Sequence, residues 1–90
     1  MVKKEKSAER QPGIRPDSRP DVDICVRLGA RLRTLRQSRG WGQADLVAES
    51  GLDRSFISKV ENARQEIGLR SLEVLANSFG MSVSQFMRGV

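Results

Sequence analysis

The chain has 90 residues, of which 38% are hydrophobic, so it can form one compact core and has no room for a second catalytic or ligand-binding domain. Its 16 lysines and arginines outnumber 11 acidic residues, and the resulting formal charge of +5 points to an anionic partner. With one cysteine, no histidine and no cluster of carboxylates, the sequence excludes the usual zinc sites, an intrachain disulfide and acid–base or nucleophilic catalysis, so we predict no metal, no cofactor and no enzyme.

The first segment, residues 1–22, contains all three prolines and six basic residues but almost no large apolar side chain. A segment of this composition cannot pack a core, which predicts a flexible, disordered tail. Six basic minus four acidic residues leave it a net charge of +2. Two interpretations stay open, a solvated tail and a basic arm that lies along nucleic-acid phosphates.

Helical periodicity begins at Asp23, where a domain of residues 23–90 is predicted to start. The first helix ends near Arg39 and Gly40, since glycine suits a C-terminal cap. Its apolar residues recur every three or four positions: Ile24, Leu28, Leu32 and Leu35. A short second helix is predicted for residues 43–50, and Gly51 directly after it can adopt a left-handed conformation.

Asp53 is predicted to cap a third helix, from Arg54 to about Asn62, by accepting hydrogen bonds from its free N–H groups. The inward side of this helix carries Ile57 and Val60. The rest of its surface is polar, which predicts a helix with one buried and one exposed face.

A loop over residues 63–68 leads to a fourth helix that Gly80 ends. Its apolar residues repeat at helical spacing: Leu69, Leu72, Leu75, Ala76 and Phe79. Ser82 and Gln85 have the spacing of a capping box and open a short fifth helix. No segment alternates as a strand does, so the predicted fold class is all-α with five helices.

Residues 43–60 have the pattern of two short helices joined by a tight, glycine-containing turn, the geometry that places the second helix in a DNA major groove. Leu46 and Val47 on the first of these helices face Ile57 and Val60 on the second, and Leu52 fills the corner. The opposite side of the second helix is polar and basic.

From residue 24 to residue 87 the sequence resembles the Cro/CI-like, or XRE, family of helix-turn-helix proteins, which includes phage repressors and restriction-modification controller proteins. The resemblance rests on the segments LRTLRQSRG, LDRSFISKVE and RSLEVLANSFGMS, and the pattern is most similar to that of the controller proteins. It implies a lambda-repressor-like domain and a sequence-specific transcriptional regulator, repressor or activator, that binds double-stranded DNA as a homodimer on two half-sites about one helical turn apart. Val47 replaces the family's usual alanine, and residues 62–64 lack its usual glycine.

We predict DNA contacts on the second and third helices and the loop that follows. Arg54 is placed to hydrogen-bond a guanine at O6 and N7, whereas the resemblance implies phosphate contacts for Gln43 and Arg64. For Phe56 two interpretations stay open, a contact with a thymine methyl group and a place in the core. For Lys59 the alternatives are a contact with DNA and an exposed position without contact. The predicted DNA-binding residues are Gln43, Arg54, Ser55, Phe56, Ser58, Lys59 and Arg64.

The resemblance also implies a partly buried structural ion pair between Arg36 and Glu61, which ties the first helix to the end of the third. It places the dimer interface in the C-terminal region, at Met81, Val83, Phe86 and Met87. For Val83 and Phe86 the alternative stays open that they close the core of the protomer.

Two further hypotheses concern partners. The first is RNA polymerase, contacted at a promoter. The second is a toxin protein, since an antitoxin of this fold would bind its toxin and repress its own operon. No apolar run reaches the about 18 residues of a membrane span and no signal peptide is recognisable, so we predict a cytoplasmic protein without membrane contact.

Overall fold

The computed structural model describes residues 21–90, which contain five α-helices and no strand. The helices are α1 (Ile24–Ser38), α2 (Gln43–Ser50), α3 (Arg54–Glu61), α4 (Leu69–Ser78) and α5 (Val83–Phe86). This confirms the predicted all-α, five-helix fold. The predicted tail lies, except for its last two residues, outside the described part of the chain, and the division at residue 22 stays a prediction.

A single core receives one side chain of 0% exposure from every helix: Leu32, Leu46, Ile57, Leu75 and Phe86. α1 and α2 both pack against α3, while α4 packs against α2 and α5. Full burial of one such side chain contributes about 1.5–3 kcal/mol. All five helices therefore share one core, and α3 cannot reorient without exposing part of it.

Leu69 repeats at helical spacing with the buried residues of α4, but it lies outside the core. It occupies the first position of α4 and is 82% exposed, whereas Leu72 and Leu75 on the same helix are buried. The periodicity is correct, but α4 begins one turn before the core does. Its first residue therefore has nothing to pack against.

Of the two side-chain caps predicted at helix N-termini, the one at Ser82 is present and the one at Asp53 is not, while Asp23 forms a cap that was not predicted. Asp23 accepts a hydrogen bond from the Cys25 N–H at 2.7 Å. The Ser82–Gln85 capping box is present, since Ser82 Oγ accepts from the Gln85 N–H at 3.1 Å and Gln85 Oε1 accepts from the Ser82 N–H at 2.8 Å. Asp53 occupies the cap position of α3, but its side chain accepts no capping bond, so this prediction is wrong. Its carboxylate is exposed, where water competes for it.

The turn after α3 is made by Ala63, which has a left-handed conformation with φ +59°. The Ala63 N–H bonds the Val60 carbonyl at 3.1 Å and the Arg64 N–H bonds the Lys59 carbonyl at 2.8 Å, the pattern of a Schellman cap. A Cβ in this conformation costs about 1–2 kcal/mol. The backbone thus forms at Ala63 a helix-ending turn that usually contains glycine. The two hydrogen bonds fix the direction of the chain after α3, and with it the position of Arg64.

Gly29 is a point of close approach between α1 and the end of α3, and no motif or spacing in the sequence marks it. A Cβ at this position would lie 2.6 Å from the carbonyl oxygens of both Val60 and Glu61. These oxygens belong to the end of α3, so they cannot rotate away as a side chain would. The absence of a side chain at residue 29 therefore sets the distance between the two helices.

We expect Gly29→Ala to lower the free energy of unfolding by about 1–3 kcal/mol, because the added methyl group forces α1 away from the end of α3. Urea unfolding measures the change. Gly68→Ala is the control, since a Cβ there meets nothing within 4 Å. It should change stability by less than about 1 kcal/mol. Equal effects of the two substitutions would contradict the close-approach explanation.

Candidate nucleic-acid interface

The turn between α2 and α3 is fixed by local hydrogen bonds and by the core. Gly51 ends α2 with φ +75°, and its N–H bonds the Val47 carbonyl at 2.8 Å. Ser50 Oγ accepts from the Leu52 N–H at 3.1 Å, and Leu52 packs against the core. Two helices joined in this way hold a constant angle, so the outer face of α3 is presented rigidly.

The outer face of α3 carries Arg54, Ser55 and Lys59, all of them exposed. None of their side chains makes a hydrogen bond or ion pair with another residue in the described part of the chain. Ile57 and Val60 on the opposite face are 0% and 1% exposed. The helix thus has one side in the core and one free, basic side, which is what insertion into a groove requires.

Phe56 and Ser58 are less accessible than the other predicted contacts of α3. Phe56 is partly buried and packs against the core, which favours the core role left open by the sequence. Ser58 is partly buried as well, and its carbonyl accepts from Asn62 Nδ2 at 2.8 Å. Both remain candidate contacts at the edge of the free face.

Glu61, at the end of α3, is a buried carboxylate whose side chain is 1% exposed. The structure brings Arg36 to it in a two-pronged ion pair, Nε to Oε2 at 2.7 Å and Nη2 to Oε1 at 3.1 Å. The third guanidinium nitrogen, Nη1, donates to the Trp41 carbonyl at 2.8 Å. One arginine therefore joins α1, the end of α3 and the segment that leads into α2.

Gln43, a predicted phosphate contact, reaches the same carboxylate. Its Nε2 donates to Glu61 Oε1 at 3.2 Å, and Arg33 Nε lies 3.7 Å from that oxygen. Burial raises the pKa of Glu61, but the hydrogen bonds from Arg36 and Gln43 and the positive charges of Arg36 and Arg33 outweigh it, so the pKa is lowered overall. The carboxylate is therefore ionised at neutral pH.

Two further arginines, Arg31 and Arg39, bond backbone carbonyls of the protein itself. Arg31 donates to the carbonyls of Phe86 at 2.8 Å and Gln85 at 2.9 Å. Arg39 donates to the Phe79 carbonyl at 2.7 Å, and its guanidinium lies 5.5 Å from the Trp41 ring centre and 5.4 Å from that of Phe79. Charge and polar surroundings alone do not separate these arginines from Arg54 and Arg64, which only their positions in the helix-turn-helix pattern distinguish.

The predicted dimer residues divide into two groups. Phe86 is 0% exposed in the protomer core, and its ring is tilted by 30° against that of Phe79, with ring centres 6.2 Å apart. It has no surface to offer a partner, so its assignment to the dimer interface is wrong and the core alternative is correct. Met81, Val83 and Met87 pack against the core while keeping part of their surface exposed.

Other kinds of site are not found in the described residues. Residues 21–90 hold no group of three or more side chains suited to binding a metal ion. Their helices are also too short or too polar to cross a membrane.

Comparison with known proteins agrees with the helix-turn-helix arrangement of α2 and α3. A helix-turn-helix domain family matches residues 27–86. A hypothetical transcription factor of Neisseria meningitidis serogroup B is 34% identical over 73 residues, which are 80% of this chain and 69% of that protein. The solved structure of the restriction-modification controller protein C.AhdI from Aeromonas hydrophila is 33% identical, with a TM-score of 0.67 over 70% of this chain and 96% of that one.

A further solved structure shows the controller protein C.Esp1396I as a tetramer in complex with its natural 35 base-pair operator. It is 25% identical to this chain and has a TM-score of 0.68, covering 74% of this chain and 88% of that one. C.Esp1396I is thus a structural relative of this chain that binds double-stranded operator DNA as a tetramer.

We expect Arg36→Ala to lower the free energy of unfolding by about 3 kcal/mol at neutral pH, because it leaves a buried carboxylate without its partner. In the wild type the pKa of Glu61 is lowered, so the ion pair stabilises the fold fully at pH values above the ordinary glutamate pKa of about 4.3. This stabilisation is lost as the pH falls through the lowered pKa of Glu61. The unpaired Glu61 of the variant gains a proton more readily, so the difference from wild type should narrow near pH 4. Urea unfolding at both pH values measures this, and a variant that unfolds like the wild type at neutral pH would contradict it.

Proposed function

We propose that this chain, which belongs to the helix-turn-helix family of DNA-binding regulators, reads operator DNA with the free face of α3 and controls transcription as a dimer. The observation that carries the proposal is the contrast between the two faces of α3. Ile57 and Val60 are fixed in the core, while Arg54, Ser55 and Lys59 are exposed and bond no other described side chain. A basic face without internal partners is suited to an anionic groove.

Arg54 is the residue that we assign to base reading. It is the first residue of α3, the end of a recognition helix that reaches the base edges. A positive side chain is unfavourable at a helix N-terminus, where the helix dipole is itself positive. A guanine that accepts two hydrogen bonds at O6 and N7 would offset this cost, and such a pair discriminates between bases.

Gln43 and Arg64 are assigned to the phosphate backbone. Gln43 is the first residue of α2, so its side chain lies beside the free N–H groups of a helix start, where anions bind. Arg64 is exposed and comes directly after Ala63, the residue whose left-handed conformation turns the chain after α3. Contacts of this kind orient the protein on DNA and make affinity depend on salt, but they carry no sequence preference.

The dimer interface is assigned to the apolar surface where Met87 lies. Met87, Ile24, Ile67 and Leu72 line a groove of about 160 Å³ between α1, α4 and the end of α5. Leu69 follows Ile67 by two residues and is 82% exposed, the largest exposure of any big apolar side chain in the described region. A neighbouring protomer that covers this surface would remove Leu69 and Ile24 from water. We therefore add Leu69 to the predicted interface residues.

A small dimer of this kind can be regulated by the concentration of the protein itself, which sets the fraction that is dimeric. A role as a restriction-modification controller is consistent with the relatives named above. Contact with RNA polymerase at a promoter and a cytoplasmic location remain part of this proposal. The antitoxin hypothesis has no support from these relatives, and we do not retain it.

Arg54→Ala should weaken binding to the operator upstream of the protein's own gene by about 1–3 kcal/mol and relax the preference at one base pair of each half-site. Arg64→Ala is the matched control, because it removes the same side chain from a phosphate position. It should weaken all duplexes alike and reduce the salt slope of binding by about one. Fluorescence anisotropy on operator, single-base variants and random duplex measures both. Equal losses on operator and random DNA for Arg54→Ala would contradict its assignment.

Leu69→Glu should weaken the dimer by tenfold or more without unfolding the protomer, because it places a charge in an apolar interface while the residue makes no core contact. Val26→Glu, which is 48% exposed on α1 but lies outside this groove, is the control and should leave the dimer unchanged. Sedimentation equilibrium measures the dissociation constant. Loss of dimer in both variants, or in neither, would contradict this interface.

A further inference from the structure

The carboxylate of Glu61 has more partners than an ion pair needs. Arg36 already occupies both of its oxygens, at 2.7 and 3.1 Å. Gln43 Nε2 adds a third bond, to Oε1 at 3.2 Å, from a different helix. This is the only hydrogen bond that the Gln43 side chain makes within residues 21–90, so its carbonyl oxygen and its second N–H are left unbonded.

The bond fixes an otherwise mobile side chain. A free glutamine loses rotamer freedom when it docks on a ligand, at a cost that weakens binding. Glu61 is itself immobile, because it is 1% exposed and held by Arg36, which Trp41 also anchors through its carbonyl at 2.8 Å. Because the Glu61 carboxylate is held rigidly, the Gln43 side chain bonded to it is already oriented in the free protein, before DNA binds.

We propose that Glu61 is a positioning residue for DNA binding, which orients the Gln43 amide through the bond from Nε2 to Oε1 so that its second N–H is directed at a backbone phosphate. The inference rests on the proposed function of Gln43. It gives Glu61 a role beyond stability, although Glu61 is buried and does not touch DNA. The ion pair that joins α1 to α3 thereby also prepares the first turn of α2 for binding.

A double-mutant cycle on operator affinity tests this, with Gln43→Met, Glu61→Gln and the double variant at a temperature where all four proteins are folded by circular dichroism. Methionine keeps the length of glutamine without its amide. In Glu61→Gln the carbonyl oxygen is expected to stay on the shortest Arg36 bond, which turns the new NH₂ group toward Gln43 and replaces an acceptor by a donor. Ala76→Gly is a destabilised control, because Ala76 is buried in α4, a helix that carries neither Gln43 nor Glu61.

We expect Gln43→Met to weaken binding about tenfold, as the loss of a hydrogen bond to a charged group does. Glu61→Gln should weaken it similarly, and the double variant no further, while Ala76→Gly should bind as the wild type does. Losses that multiply in the double variant, or a Glu61→Gln protein that binds as tightly as Ala76→Gly, would overturn the proposal. Unchanged affinity in Gln43→Met would overturn it too, whereas the proposed function is judged separately by the base preference of Arg54→Ala.

A second measurement on the wild type does not depend on the folding of any variant. The ¹⁵N relaxation of the Gln43 side-chain amide should show a rigid group in the free protein, and its signals should move when operator is added. Gln37, exposed at the end of α1 with no side-chain hydrogen bond among the described residues, gives the mobile reference. A Gln43 amide as mobile as that of Gln37 would overturn the proposal.

Discussion

Glu61 is the only charged residue buried among residues 21–90, and the arrangement of the helices depends on it. A carboxylate removed from water is stable only when its charge is matched and its oxygens are hydrogen-bonded. Arg36 does both, and its remaining nitrogen also holds the Trp41 carbonyl ahead of α2. One buried charge therefore fixes α1, the end of α3 and the entry to α2 relative to one another.

The backbone reinforces this constraint at the same place. Gly29 lets α1 approach the carbonyls of Val60 and Glu61, the last residues of α3, closely enough that a methyl group would clash. Arg33 adds a weak contact from α1 to the Glu61 carbonyl at 3.4 Å. Steric contact and charge thus act on the same end of α3, and they leave its other end, with Arg54, projecting from the protein.

Positive charge is divided between folding and binding in this small domain. Arg31, Arg36 and Arg39 use their guanidinium groups to bind carbonyls or a carboxylate of the protein itself. Arg54 and Arg64 make no such bond within the described residues. Net charge therefore overstates the positive surface available for phosphate, to which the free face of α3 and its following loop contribute Arg54, Lys59 and Arg64.

The number of helices and their approximate bounds, the turn at Gly51 and the capping box at Ser82 are predictable from the amino-acid sequence, because they depend on local spacing and on backbone preferences. The resemblance to a known family supplied the Arg36–Glu61 pair and the face of α3 expected to meet DNA. The folded structure was needed to show that Phe86 closes the core while Leu69 is exposed, that Gly29 sets a helix contact, and that Gln43 reaches Glu61. Helical periodicity tells which residues share a face, whereas the neighbour opposite that face is set by residues far away in the chain.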